Sequence, residues 1–133
     1  KPCKFKVHQA PGTSRSPEEY SKSELDESLD VFSMGHVLYG IITGRKHFQK
    51  AQALGNSAMT VKQRVINGDT PLMADVHFEE KADLDLVKLM YRAYETDPEK
   101  RISALELVNE LELLWNDYIL ANGTGDSGIH VDG

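Results

Sequence analysis

The chain has 133 residues, 40% of them apolar and 27% charged, which suits one globular domain with a modest core. A net charge of -6 and a pI near 5.3 argue against a nucleic-acid surface, which would carry a basic face. A single cysteine, Cys3, excludes an internal disulfide and any cysteine-pair zinc site, and no secretory leader or transmembrane run is readable. A reduced, intracellular and cytoplasmic setting is the reading that follows.

From Lys1 to His8, Cys3, Phe5 and Val7 alternate with Lys4 and Lys6, the pattern of a short half-buried edge strand. Gln9 to Arg15 is a loop marked by Pro11-Gly12. Ser16-Pro17-Glu18-Glu19 reads as a helix start, with Ser16 as cap, Pro17 at the first helical position and Glu19 closing a capping box. Ser21 to Leu29 is a polar, acidic connection.

Asp30 to Gly44 reads as a central core helix, about 21 Å long at 1.5 Å per residue. Val31, Met34, Leu38, Ile41 and Ile42 share one side, and Phe32, Val37 and Tyr39 fill much of the rest, so burial nearly all round is expected. Asp30 stands where an N-cap belongs, and Gly44 where a left-handed terminator belongs. Gln49 to Ala58 is a loop or a short irregular helix. Met59 to Asn67 is a peripheral helix closed by Gly68, with Asp69-Thr70-Pro71 as a turn.

Asp83 to Tyr94 is amphipathic, with Leu84, Val87, Met90, Tyr91 and Tyr94 on one face and Asp85, Lys88 and Arg92 on the other. Asp97-Pro98 ends it. Ser103-Ala-Leu-Glu106 is a second capping box. The helix it opens is expected to run to about Ala121, with Leu105, Val108, Leu111, Trp115 and Tyr118 inward. The Gly-rich stretch from Asn122 to Gly133 is expected to be a disordered tail, which leaves residues 1–121 as the domain. Asn122-Gly-Thr124 matches a glycosylation sequon that an intracellular chain would not use.

Four short segments, in one order, resemble those of eukaryotic-type protein kinases. Ser16-Pro17-Glu18 is similar to Ala-Pro-Glu. Asp30-Val31-Phe32-Ser33-Met34-Gly35 resembles Asp-x-Trp-Ser-x-Gly, with Phe for Trp. Ile42-Thr43-Gly44-Arg45-Lys46-His47-Phe48 resembles a Thr-Gly-x-x-Pro-Phe segment, with His47 for Pro. Asp97-Pro98-Glu99-Lys100-Arg101-Ile102-Ser103 resembles Asp-Pro-x-x-Arg-x-Ser. Each word alone is weak, and their common order over residues 12 to 115 carries the resemblance.

That resemblance implies a mainly α fold: the C-terminal lobe of a protein-kinase-like domain, from activation segment to last helix, with the N-lobe and catalytic loop absent from this chain. It implies a substrate-facing loop at Gly12, Thr13, Ser14 and Arg15. It also implies a structural motif of Ser16, Pro17, Glu18, Asp30, Gly35 and Arg101, in which Glu18 pairs with Arg101 and Asp30 holds backbone amides of the catalytic loop. The loop departs from the pattern. Thr13 precedes Glu18 by five positions, two fewer than in the family, and the aromatic residue between them is missing. A surface loop with no recognition role, and a Glu18 and Arg101 that are merely solvated, are the plain alternatives.

Phosphoryl transfer from ATP needs a Gly-rich loop, a Lys paired with a helix Glu, a catalytic Asp and Asn, and a metal-binding Asp. No segment here matches any of them. The five histidines, His8, His36, His47, His77 and His130, are scattered and form no metal-ligand spacing. No self-sufficient active site is expected, so no catalytic or metal residue is assigned. ATP and magnesium are expected for the full-length parent and not for this chain. The parent would phosphorylate protein at Ser or Thr. This chain would supply part of a platform for a protein substrate or regulator, with no nucleic-acid or membrane partner. A pseudokinase scaffold, which the altered loop favours, and a free-standing helical interaction module are the alternatives. The chain opens on Lys1 rather than Met, and a segment of a longer reading frame is expected.

Overall fold

The computed structural model describes residues 3–7, 10, 12–48, 58–74 and 78–123. Two capping boxes fix where two helices begin. At α1 (Pro17–Tyr20), the Ser16 hydroxyl accepts the Glu19 N–H at 3.4 Å and the Glu19 carboxylate accepts the Ser16 N–H at 3.0 Å. The same reciprocal pair opens the last helix. There Ser103 Oγ accepts the Glu106 N–H at 3.2 Å and Glu106 Oε2 accepts the Ser103 N–H at 3.0 Å. Each box satisfies two backbone donors that the helix itself leaves unpaired. Ser103→Ala is therefore expected to cost about 0.5–2 kcal/mol, read as a lower urea midpoint. An unchanged midpoint would show that Ser103 is not acting as the cap.

The central helix α2 (Ser28–Thr43) starts two residues earlier than Asp30. Asp26 Oδ1 accepts the Ser28 N–H at 2.9 Å, and this local turn launches the helix. The residue at the N-cap is Glu27, which makes no side-chain cap, and Asp30 lies in the first turn near the positive end of the helix dipole. At the other end Gly44 takes a left-handed conformation with φ 66°, and its N–H bonds the Gly40 carbonyl at 2.8 Å.

Two further helices carry most of the remaining core. Helix α3 (Ala58–Ile66) packs with α1 and buries Val61 and Val65 fully. Helix α4 (Lys81–Ala93) makes the largest helix–helix interface, against α2. From α2 it covers the face of Val31, Phe32, Gly35, Leu38 and Tyr39, and it contributes Val87, Met90 and Ala93. A Cβ on Gly35 would come within 2.8 Å of the Tyr94 ring, so this position requires glycine for close approach. The opposite side of α2 is open: Met34, Val37 and Ile41 are exposed, Ile41 by 68%. The expectation of burial nearly all round is corrected here, because the described elements cover one face of α2.

The final helix α5 (Ala104–Asn122) packs on α4. Leu107 is buried, and Leu111 and Leu114 lean on the core. Leu105, Val108, Trp115 and Tyr118 point outward, Leu105 by 71% and Trp115 by 62%. The inward stripe is thus largely reversed from the sequence reading, with only Leu111 shared. Apolar residues occur on several faces of this helix, and contact with α4 chooses among them. The Trp115 and Tyr118 rings stack at 5.9 Å and border an open groove of about 880 Å³ with Leu86, Leu111 and Leu114.

Smaller corrections follow the same logic. The expected N-terminal strand reduces to one antiparallel bridge between Phe5 and Leu25, with N–H···O distances of 2.9 and 2.8 Å. Leu25 is buried there, whereas Phe5 is exposed. The turn after α3 sits at Asn67-Gly68, where Gly68 has φ 89°, rather than at Asp69–Pro71. Tyr91 of α4 faces outward. Asn122 is the last helical residue rather than the first of a tail. Lys1, Pro2, His8, Gln9, the stretch 49–57 and the tail from 124 to 133 lie outside the described residues. Among the described residues no helix is long and apolar enough to cross a membrane.

Candidate functional site

Residues 12 to 16 form a loop that runs into α1, and its path is fixed by its neighbours. Gly12 has φ 84°, and its carbonyl accepts the Tyr20 hydroxyl at 2.7 Å. Thr13 is buried. The Ser14 hydroxyl meets His47 Nε2 at 2.6 Å. The Arg15 N–H reaches the Tyr20 hydroxyl at 3.4 Å, and its guanidinium lies 3.3 Å from Glu19. The loop therefore presents one hydroxyl and one half-exposed cation, Arg15, from a held backbone. Burial is the leading reason that the Tyr20 hydroxyl stays protonated above its ordinary range.

Directly after the loop, Ser16, Pro17 and Glu18 are buried. The Glu18 carboxylate receives both arms of Arg101, Nη1 to Oε1 at 2.6 Å and Nη2 to Oε2 at 3.0 Å, across 83 residues. The side chains are 0% exposed for Arg101 and 5% for Glu18. The remaining guanidinium N–H groups are used as well. Nη1 donates to the Ser28 carbonyl at 2.9 Å, Nε to the Glu95 carbonyl at 2.9 Å, and Nη2 to the Thr96 carbonyl at 3.4 Å. A guanidinium has five N–H donors, and here each has an acceptor. Its plane lies over the Phe32 ring, 5.1 Å from the centroid. The start of α1, the start of α2 and the segment after α4 all converge on this one cation.

The sequence reading brought Glu18 and Arg101 together correctly, through the order of motifs. It left out the three carbonyls and the Phe32 ring. Asp30 takes no part in the Arg101 network and is exposed in the first turn of α2.

A second constellation went unseen in the sequence. The rings of His36 and His47 stack at 3.7 Å with an interplanar angle of 16°. His36 Nδ1 lies 2.7 Å from the Tyr94 hydroxyl. Burial, and then the neighbouring His47, lower the His36 pKa to about 3. His47 is lowered too, first by burial and then by Lys46. The one sequence signal was His47 itself, standing where the resembled segment has Pro. Nothing in the spacing of 36 and 47 marks a pair, because a turn outside α2 brings them together.

Among the described residues, no three His, Cys, Asp or Glu side chains are grouped to hold a metal ion. The arrangement holds a loop on a helical body.

Comparison with known proteins agrees with this architecture. A model of the protein kinase domain matches residues 6–111. The chain is 31% identical over 106 residues to the mouse leucine-rich repeat serine/threonine-protein kinase 1, covering 80% of this chain and 5% of that protein. It is 32% identical over 93 residues to human mitogen-activated protein kinase kinase kinase 7, covering 70% of this chain and 14% of that one. It is 30% identical over 105 residues to the dual specificity protein kinase pyk3 of Dictyostelium discoideum, covering 79% and 7%. The chain thus spans a small part of the length of each of these relatives.

Proposed function

The chain belongs to the protein kinase domain family, and we propose on that premise that it is the substrate-side portion of the C-terminal lobe of a protein Ser/Thr kinase. Its mainly helical fold is that of a protein-kinase-like C-terminal lobe. In this reading the parent transfers phosphate from ATP to protein, in the cytoplasm, and this chain positions the protein substrate or regulator. The observation that carries the reading is the buried Glu18–Arg101 pair, which ties the segment following the Gly12–Arg15 loop to the helical body. A loop so tied keeps a fixed position relative to the lobe, as a docking platform must.

ATP and magnesium belong to the parent in this reading. The chemistry of phosphoryl transfer is positioning plus charge stabilisation by bound metal ions, and among the described residues no cluster of three His, Cys, Asp or Glu side chains could hold such an ion. The described residues do not by themselves fit a magnesium site.

The purified 133-residue chain is expected neither to hydrolyse ATP nor to phosphorylate a generic protein, while the full-length parent does both. Micromolar ATP binding by the chain, abolished by a substitution within it, would overturn the assignment of the chemistry to the rest of the parent. The shortened loop between Thr13 and Glu18 favours a second reading, a pseudokinase scaffold. A full-length parent that binds its protein partner but transfers no phosphate selects that reading.

A further inference from the structure

Two histidines that none of the motifs explains meet between the loop and the helical body. We propose that the stacked His36–His47 pair is an acid-released latch that holds the Gly12–Ser16 loop against α2 and the end of α4. The inference concerns only how the loop is attached, and it stands whether or not the parent is an active kinase.

The latch has three joints. On the loop side, the Ser14 hydroxyl meets His47 Nε2 at 2.6 Å. On the body side, His36 Nδ1 meets the hydroxyl of Tyr94, the residue that ends α4, at 2.7 Å. Between them lies the face-to-face contact of two rings 3.7 Å apart. Two neutral imidazoles can stack in this way, but an imidazolium facing a second imidazolium is repelled. His36 Nε2 is buried and has no hydrogen-bond partner among the described residues, so a charge placed on this ring is poorly solvated and burial disfavours it.

The surroundings favour the neutral pair. The rings of Phe32 and Phe48 approach His36 edge-on at 5.5 and 6.4 Å, and Phe48 approaches His47 at 6.2 Å. Burial raises the Tyr94 hydroxyl, which therefore stays neutral. Lys46 adds positive charge beside His47, and Arg64 of α3 lies over the Phe48 ring. On the α1 side, Arg15 and Glu19 are engaged with each other at 3.3 Å. The Ser14 backbone favours a proton on His36, but it is outweighed by burial and by His47.

The direction of the pH effect follows. In the latched state His36 titrates at about 3, and His47 also titrates below its ordinary value. Once released into water, both return towards about 6.5. Release therefore takes up protons. The latch is fully closed above about pH 6.5 and weakens as the pH falls towards the latched-state values. Each histidine raises the opening constant by up to about tenfold per pH unit, and the two together by up to about a hundredfold.

The test is amide hydrogen exchange on the 133-residue chain at pH 7.5, 6.5 and 5.5, corrected for the intrinsic pH dependence of exchange. Protection of the Thr13, Ser14 and Arg15 amides is expected to fall more than tenfold between pH 6.5 and 5.5, while the amides of α5 keep theirs. His47→Gln retains a polar partner for Ser14 but does not titrate, and is expected to reduce that slope to tenfold or less. If this variant does not fold, the ring proton resonances of His36 and His47 in the unaltered chain decide instead. They are expected to move together with the loop amides. Loop protection that ignores pH overturns the latch. So does an equal loss in every helix, or histidine titration near 6.5 with the loop unmoved.

Discussion

Arg101→Ala is expected to lower the stability of the chain by about 3–5 kcal/mol, because it leaves the Glu18 carboxylate buried without its partner. Glu18 is only 5% exposed on its side chain, so water cannot replace the guanidinium without opening the structure. The change also strands the carbonyls of Ser28, Glu95 and Thr96, which accept the other guanidinium N–H groups. An exposed ion pair would be worth only about 0–1 kcal/mol, so the magnitude separates the two situations. Total stabilities are about 5–15 kcal/mol, and the variant is expected to unfold at a much lower urea concentration. Arg101→Lys is not a conservative change here, because an ammonium cannot present the bidentate fork that the carboxylate receives. In a double-mutant cycle with Glu18→Ala, the coupling should exceed the additivity error of about 0.3–0.5 kcal/mol. Independent effects of the two substitutions would remove the pair as the link between loop and lobe.

Phe32→Ala is expected to cost a comparable amount, about 3–5 kcal/mol, for a different reason. The ring is buried at the junction of α2 and α4. It packs edge-on against Tyr94 at 5.2 Å and His36 at 5.5 Å, and it forms the floor beneath the Arg101 guanidinium at 5.1 Å. Removing it opens a cavity that close-packed neighbours fill only in part, and it takes away a desolvated cation–π contact worth up to about 2 kcal/mol. The denaturation midpoint measures the total. The loss should be non-additive with Arg101→Ala, since the two side chains touch. A loss below about 1 kcal/mol would mean that the junction repacks and that Phe32 does not organise it. Both substitutions act through the same corner of the molecule, where the start of α2 and the segment after α4 meet.

The capping boxes at Ser16 and Ser103 were legible from sequence alone, and so was the left-handed Gly44. In each case the deciding interaction lies within a helical turn of the residue that makes it. The positions of α1, α3, α4 and α5 were legible for the same reason. The Glu18–Arg101 contact was reached differently, since no local pattern joins residues 83 apart. It came from the resemblance between two short motifs and those of a known family, and the fold added the three carbonyls that take the other guanidinium N–H groups.

Which face each helix buries was decided by the tertiary structure. Apolar side chains surround α2 and occur on several faces of α5, so their spacing allows more than one inward stripe. Contact with α4 buries Phe32 and Leu107 and leaves Ile41 and Trp115 in water. The start of α2 shifted from Asp30 because Asp26 bonds the Ser28 N–H first. The stack of His36 on His47 depends on a chain reversal after Gly44 that no periodicity encodes. By itself the sequence determined what each residue does within one turn of its own backbone. The tertiary structure decided what each side chain meets across the core, because burial is a property of the neighbouring element and not of the residue's own helix.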